Sequence, residues 1–224
     1  MKPTLLFILV SFCIFAQVSA FAAGKKGGKK GKSKPVVGRG FGVSKGPSVE
    51  EIAAKFPTRM PDNAEEVDCP CGSGKTYNDC CAPFHKKEKL PASPIDVLRS
   101  RYSAFAWRLP LYIIDTTHPE CSDWRKNKVD WVKDLNRDGM FDSYDFISLE
   151  AGPQEISEDD DKEGFIEFKV NLRANQNIAA VEGEQIVVSE RSRFLCSGEP
   201  ASWTYAGGDV TSDVAGIEDV KLNN

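Results

Sequence analysis

The chain has 224 residues, of which 41% are hydrophobic and 28% are charged, and its formal net charge is −4. This composition is that of an ordinary globular protein and excludes a fibrous or low-complexity chain. The charge is unevenly distributed, since residues 1–48 contain nine Lys and Arg and no Asp or Glu, which leaves 20 basic against 33 acidic residues in the remainder. An acidic body repels phosphate backbones, so we expect no general nucleic-acid binding by the mature protein.

The N-terminus has the pattern of two targeting segments. An apolar run at residues 5–16 is too short to span a bilayer, and small residues at 18–20 suit a signal peptidase. We therefore predict a signal peptide at residues 1–20, with a membrane anchor as the alternative. Residues 21–48 begin with Phe21 and are basic and free of acids, which resembles the transit-like half of the presequences of algae with secondary plastids. We expect plastid localisation and no stable membrane span after processing, with secretion as the alternative; a basic linker or nucleic-acid-binding arm is the plainer interpretation of this segment.

Helix signals dominate the first half of the mature chain. Ser48 and Glu51 have the spacing of a capping box, which predicts a short helix and linker at residues 49–66. Ser93 followed by Pro94 predicts the start of a longer helix, with an apolar stripe that continues to Leu109. A further turn and helix are predicted at residues 111–116 and 123–135.

Strand signals follow the helices. Alternating β-branched and aromatic residues predict strands at 141–149, 165–172, 185–195 and 202–205, and the acidic run at 158–161 predicts a hairpin loop. Helices followed by strands predict an α+β domain at residues 91–210, in which helices pack on a curved antiparallel sheet. Residues 211–224 are predicted to be a tail.

Four cysteines between residues 67 and 85 form the most specific pattern of the chain: Cys69, Cys71, Cys80 and Cys81. Two close pairs separated by a turn can supply the tetrahedral thiolate set that structural zinc requires. Two disulfides are the alternative, although such closely spaced cysteines would close very small rings. His85 could replace one ligand, and Cys121 and Cys196 lie outside the cluster as expected free thiols. We predict a small zinc knuckle that precedes the α+β domain.

This knuckle resembles the SEC-C motif of the C-terminal tail of the bacterial preprotein translocase ATPase, and the resemblance implies a zinc-holding interaction module that docks a chaperone. The motifs that follow are, in order, Ser93-Pro94, residues 98–105, Thr117-His118-Pro119, residues 190–194 and Trp203-Thr204-Tyr205. This order resembles the YchJ family, whose middle domain has the cystatin-like, cone-shaped fold of nuclear transport factor 2. The resemblance implies a fold and a metal, but no activity.

The resemblance also implies a set of polar positions that could converge in the cone: Arg99, Arg101, Tyr102, His118, Glu190, Arg191 and Arg193. As a ligand site, His118 would act as acid and base and an arginine would bind an anion. As a structural feature, the arginines and Glu190 would form an internal network, and His118 would cap a turn before Pro119. The structural interpretation is favoured.

A second candidate site has the oxygen-ligand spacing of a calcium loop, with Gly139 at its sixth position and ligands at Asp134, Asn136, Asp138, Asp142 and Asp145. Asp145 replaces the usual bidentate Glu, and no partner loop is present. A polar turn between a helix and a strand is therefore the favoured interpretation, and we do not expect a calcium cofactor.

Three functions remain open from the sequence. The first is a zinc-binding, non-enzymatic protein that contacts a protein partner through the knuckle, in protein targeting or quality control. The second is a small-molecule-binding or catalytic cone domain in which the knuckle is only structural. The third is calcium-dependent regulation. The size and lining of the cone's cavity distinguish the first two.

Overall fold

The computed structural model describes residues 46–137, 141–174 and 185–214, so the predicted signal peptide and nearly all of the transit-like segment lie outside the described residues. In the described part, helices precede strands. The helices are α1 Val49–Ala53, α2 Ala82–His85, α3 Pro94–Ala106, α4 Pro110–Asp115 and α5 Lys128–Arg137. The strands are β1 Tyr144–Ile156, β2 Glu163–Ala174, β3 Gln185–Ser197 and β4 Ser202–Val214.

The four strands form one antiparallel sheet in the order β1-β2-β3-β4. The acidic run at residues 158–161 lies in the loop between β1 and β2, as predicted. Register shifts follow Phe146 and Ala151 in β1 and Arg193 in β3. Such bulges bend and twist a sheet. The predicted α+β class with a curved antiparallel sheet is confirmed.

Local signals explain where the helices begin. Ser48 and Glu51 form the predicted capping box, with Ser48 N donating to Glu51 Oε2 at 2.8 Å and Glu51 N donating to Ser48 Oγ at 3.2 Å. Pro94 occupies the first turn of α3. Helix α3 ends at Ala106, before the predicted Leu109, because Arg108 has a left-handed φ of 58°.

Several other boundaries also differ from the sequence prediction, among them the end of β1, which continues to Ile156 and not only to residue 149. Helix α5 begins at Lys128 and not at residue 123, and the side chain of Asn127 accepts a hydrogen bond from Asp130 N at 3.3 Å in the manner of an N-cap. Strand β4 continues to Val214, which pairs with Ile186 of β3. The first residues of the predicted tail are therefore part of the sheet.

One hydrophobic cluster joins helix α3, the sheet and the knuckle. Side chains of α3 such as Leu98 and Tyr102 pack against the alternating apolar face of β2, represented by Ile166 and Phe168. The same cluster contains residues from the cysteine motif, namely Cys69, Cys71, Tyr77, Cys81 and Ala82. The knuckle is thus built into the core of the domain and is not an appendage beside it.

Candidate metal centre

The sulfur atoms of the four motif cysteines converge on one point. All four lie within 4.8 Å of one another, with Cys71 Sγ 3.5 Å from Cys80 Sγ and Cys80 Sγ 3.8 Å from Cys81 Sγ. Zinc–sulfur bonds of about 2.3 Å in a tetrahedron place the sulfurs about 3.8 Å apart. The four side chains fit a tetrahedral metal ion, and all four are free thiols without the alternative disulfides.

A short hairpin presents the first pair of cysteines. Cys69 N donates to Lys75 O at 2.9 Å, and Gly72 N donates to Cys69 O at 3.3 Å. Gly72 and Gly74 have φ values of 72° and 73°, which is the left-handed region that glycine adopts without strain. A Cβ at Gly72 would lie 3.3 Å from Leu149 O of β1, so the turn lies against the sheet.

The second pair follows on a turn that leads into α2. Cys80 N and Ala82 N both donate to Tyr77 O, at 3.2 and 3.0 Å, and Cys81 is the N-cap residue of α2. Cys71 and Cys81 are 2% and 1% exposed. The ligand set is therefore enclosed by the fold.

The pKa values of the four neighbouring thiols are shifted in different directions. Hydrogen bonding from Cys69 lowers the pKa of Cys71 to about 7, and bonds from Cys69 and Cys71 also lower the pKa of Cys80. The pKa values of Cys69 and Cys81 are raised, first by the bonds that these thiols make to Cys71 and Cys69 respectively. Neighbouring thiolates repel one another, so complete deprotonation needs a cation at the centre.

His85 is not a ligand but connects the knuckle to α3. Its Nε2 donates to Ser100 O at 2.9 Å, so its Nδ1 accepts from Tyr77 Oη at 2.7 Å. Burial lowers the pKa of His85 to about 4, which keeps the ring neutral near pH 7. Both ring nitrogens are occupied, which removes His85 as an alternative to a cysteine. This bridge could not be predicted from the sequence, in which only the presence of Tyr77 and His85 in one motif points to it.

Part of the predicted polar set forms a buried network. Arg101 Nη1 donates to Ile113 O at 2.9 Å and to the hydroxyls of Thr116 and Thr117 at 3.0 Å. Its guanidinium lies 4.6 Å from the ring centre of Tyr205, whose hydroxyl donates to Glu190 Oε1 at 2.9 Å. Burial raises the pKa of Glu190, while the charge of Arg101 opposes that shift.

The other predicted members lie elsewhere. Arg193 binds Glu163 and Glu120 at the surface, and Arg191 binds Glu155 at 3.2 Å on the open face of the sheet. The half-buried side chain of Arg99 lies outside the network. His118 Nδ1 accepts from Glu120 N at 3.2 Å, which is the geometry of a turn cap. The predicted set is thus divided, because Arg191 and Arg193 do not reach Glu190.

Two concave regions bear on ligand binding. Arg101, Tyr102 and Glu190 line an internal cavity of about 20 Å³ between α3 and the sheet. A groove of about 640 Å³ on the open face is bordered by charged side chains that include Glu150, Glu167 and Asp209. The internal cavity can hold about one water molecule, so the polar network does not form a substrate pocket.

The predicted calcium loop is occupied by arginines. Asp134 binds Arg125 and Arg137, Asp142 binds Arg59 and Arg108, and Asp145 binds Arg173. Asn136 Nδ2 donates to Val132 O at 2.8 Å inside the helix, and Asp138 lies outside the described residues. Among residues that the structure describes, the four motif cysteines are the cluster of metal-ligating side chains. The described part of the loop gives calcium no support.

No helix in the described ranges combines the length and hydropathy that a membrane span requires.

Comparison with known proteins finds matches for the cysteine motif and for the α+β domain that follows it. The model of the YchJ middle, NTF2-like domain matches residues 93–208, and the SEC-C motif matches residues 68–83. A UPF0225 protein of Serratia proteamaculans is 35% identical over 142 residues, which cover 62% of this chain and 81% of that protein. A UPF0225 protein of Vibrio vulnificus is 32% identical over 149 residues, which cover 66% of this chain and 77% of that protein. The solution structure of a SEC-C motif containing protein from Rhodopseudomonas palustris is similar with a TM-score of 0.49 and 29% identity, over 64% of this chain and 98% of that one.

Proposed function

Because the chain belongs to the YchJ family and carries a cysteine cluster that could bind a metal ion, we propose that it is a zinc-binding, non-enzymatic protein that contacts a protein partner through the outer side of its knuckle. Protein targeting or quality control is the proposed context.

The donor set supports zinc as the metal. Four thiolates in a tetrahedron suit zinc, which has no geometric preference of its own and binds sulfur well, and a closed set of four ligands is typical of structural zinc. All four positions are filled by protein sulfur, so no open position remains for water or substrate. We therefore propose a structural role for the metal, in which it holds the turn and α2 against the core.

The charge of the outer rim of the knuckle is the observation that supports this rim as the partner surface. The rim is defined here as the exposed charged and apolar residues Asp68, Lys75, Asp79, Lys86, Lys87, Glu88, Lys89 and Leu90. It contains four lysines, one of them paired with Asp115, and three acids, whereas the chain after residue 48 has 33 acidic and 20 basic residues. Leu90 is 45% exposed beside these lysines. Such a surface favours an acidic protein partner with an apolar contact.

The alternative of a catalytic or small-molecule-binding cone has less support. The cavity beside Glu190 in the cone's interior, lined by described residues, has a volume of about 20 Å³. Ligand pockets of proteins are typically about 300–1,000 Å³. The larger groove on the open face is bordered by side chains such as Arg191, which is already paired with Glu155 and near Glu167.

Affinity capture with charge-reversed variants tests the partner surface. We compare the wild type with a Lys75→Glu/Lys86→Glu variant, which leaves the cysteines intact. The matched control is Lys162→Glu/Lys169→Glu, which changes two exposed lysines on the sheet side of the molecule. We expect a defined protein to be captured by the wild type and the control and lost from the rim variant. Capture that is equal in all three, while zinc content is unchanged, would contradict the rim as the contact surface.

We also propose that residues 1–48 direct the protein to a plastid, on the basis of the signal-peptide pattern followed by the basic, acid-free segment. Residues 1–48 fused to a fluorescent reporter should carry it into the plastid, and a Phe21→Ala variant should divert it to the secretory route. Secretion of the unmodified fusion would contradict plastid import.

A further inference from the structure

The cavity between α3 and the sheet contains two buried polar atoms without partners. Glu190 Oε2 and Tyr102 Oη have no hydrogen-bond partner among the described residues, and both side chains are 3% exposed. Both side chains line the same cavity, whose other walls are mainly apolar, such as Leu98 and Phe168. A buried donor or acceptor without a partner is unfavourable, so the pair calls for an occupant.

The cavity limits the size of that occupant. Its volume is about 20 Å³, and a single water requires about 10–15 Å³ measured in this way. The cavity is thus of the size of a water molecule and far too small for a substrate-sized ligand. The occupant must also hydrogen-bond to the carboxyl group of Glu190 and to the hydroxyl group of Tyr102 at once. A water molecule can do so because it both donates and accepts hydrogen bonds.

The two oxygens of Glu190 have different roles. Oε1 already accepts from Ser192 Oγ at 2.6 Å and from Tyr205 Oη at 2.9 Å. Oε2 is the oxygen left for the cavity. Gly208 makes room for this carboxylate, because a Cβ at that position would lie 2.3 Å from Glu190 Oε1. The fold therefore holds the acid in a fixed place and leaves one oxygen unpaired at the cavity that Tyr102 also lines.

We propose that this cavity is a binding site for one buried water, which bridges Glu190 Oε2 of β3 and Tyr102 Oη of α3. The positive charge next to the site favours water over an ammonium ion, because the guanidinium of Arg101 stacks on Tyr205, which bonds the same carboxylate. Tyr102 belongs to the core cluster that includes Cys71 and Cys81. The water thus completes a polar connection from the helix beside the metal centre to the middle of the sheet.

Removal of the Tyr102 hydroxyl tests the proposal. The change should destabilise a protein whose cavity contains water and stabilise a protein whose cavity is empty. With water present, Tyr102→Phe strands the water and Oε2, and the unfolding equilibrium constant of the zinc-saturated full chain should rise about tenfold. With an empty cavity, the same change removes an unpaired buried hydroxyl, and the constant should fall. The matched control is Tyr112→Phe, whose hydroxyl donates directly to Ser100 Oγ at 2.7 Å and whose loss should raise the constant in both cases.

A crystal structure of the zinc-bound full chain gives an independent measurement. We expect one ordered water within about 3.2 Å of both Tyr102 Oη and Glu190 Oε2. A dry cavity, or a Tyr102→Phe variant more stable than the wild type, would overturn the assignment. Stabilisation of the wild type but not of Tyr102→Phe by ammonium chloride over sodium chloride would also overturn it, in favour of a cation.

Discussion

At the scale of single residues, the buried acid Glu190 shows how environment decides the behaviour of a side chain. It lies on the core face of β3, bonded to Ser192 and Tyr205, and burial raises its pKa. The folded carboxyl therefore binds its proton more tightly than the unfolded chain does. Its contribution to stability is present below the unfolded pKa and is lost as the pH rises through the folded pKa.

The raised pKa of Glu190 predicts how the relative stability of a Glu190→Gln variant depends on pH. The amide keeps an acceptor oxygen for Ser192 and Tyr205 but does not titrate, so the wild type should lose stability relative to the variant as the pH rises from about 4.5 to 7. Each pH unit between the unfolded and the folded pKa of Glu190 changes the difference in unfolding free energy between the two proteins by about 1.4 kcal/mol. Urea unfolding of both proteins at several pH values measures it, and effects of pH on the metal cancel in the comparison.

The opposite trend would identify a different balance of forces. If Glu190→Gln becomes less stable relative to the wild type as the pH rises, then Glu190 is ionised in the fold and its attraction to Arg101 exceeds the cost of burial.

Roles could be predicted for residues that lie close together in the sequence. The spacing of Cys69, Cys71, Cys80 and Cys81 was enough to predict the cluster, because a short chain segment must bring them together. The partners of Arg193 could not be predicted in this way. Arg193 alternates with core residues of β3, and its binding of Glu120 and Glu163 depends on the register of neighbouring elements.

At the scale of elements, the cysteine turn and strand β1 depend on each other. Gly72 and Gly74 both have left-handed φ values, but only Gly72 approaches another element, at Leu149 O. This contact joins segments far apart in sequence, so the sequence predicted a small knuckle at residues 67–85 that precedes the domain but did not predict which strand it contacts.

The two glycines form a matched pair for a second prediction. Gly74→Ala should cost about 1–2 kcal/mol from the left-handed backbone alone, since nothing lies within 4 Å of its Cβ. Gly72→Ala has the same backbone cost and a tight contact at 3.3 Å from Leu149 O, so it should cost more and should also weaken zinc binding. Unfolding free energies and zinc competition with a chelator measure both. Equal costs at the two positions would mean that the turn does not lie against β1.

Element types were predicted better than element ends. The alternating patterns predicted all four strands because one face of the sheet is buried, as Val170 and Leu172 of β2 illustrate. The end of β4 was missed because the segment beyond Tyr205 is held by pairing with β3, up to Val214 opposite Ile186. Pairing of this kind does not require an apolar pattern.

At the scale of the whole molecule, the cysteine cluster that could bind a metal ion is part of the hydrophobic core. Cys69, Cys71 and Cys81 cluster with Leu98, Tyr102 and sheet residues, and His85 connects the knuckle to α3 through Ser100. Loss of the metal should therefore affect the entire domain, because structural metal binding and folding are coupled.

This coupling predicts the behaviour of Cys71→Ser. The variant should lose its metal and also lose much of its cooperative thermal unfolding, with the sheet affected along with the knuckle. Circular dichroism and calorimetry measure this, and Cys196→Ser is the control because Cys196 is a half-buried free thiol outside the cluster. A Cys71→Ser variant that keeps a sheet of normal stability would show that the knuckle is an independent unit.

The proposed binding of one zinc ion by the four cysteines can be measured as the metal content of the purified protein. Full-length protein purified under reducing conditions without added metal is measured by elemental analysis and by native mass spectrometry. We predict one zinc per chain, released when the thiols are blocked by a mercurial reagent. Freshly purified, fully reduced and folded protein that contains no zinc would show that the four cysteines do not form a zinc site.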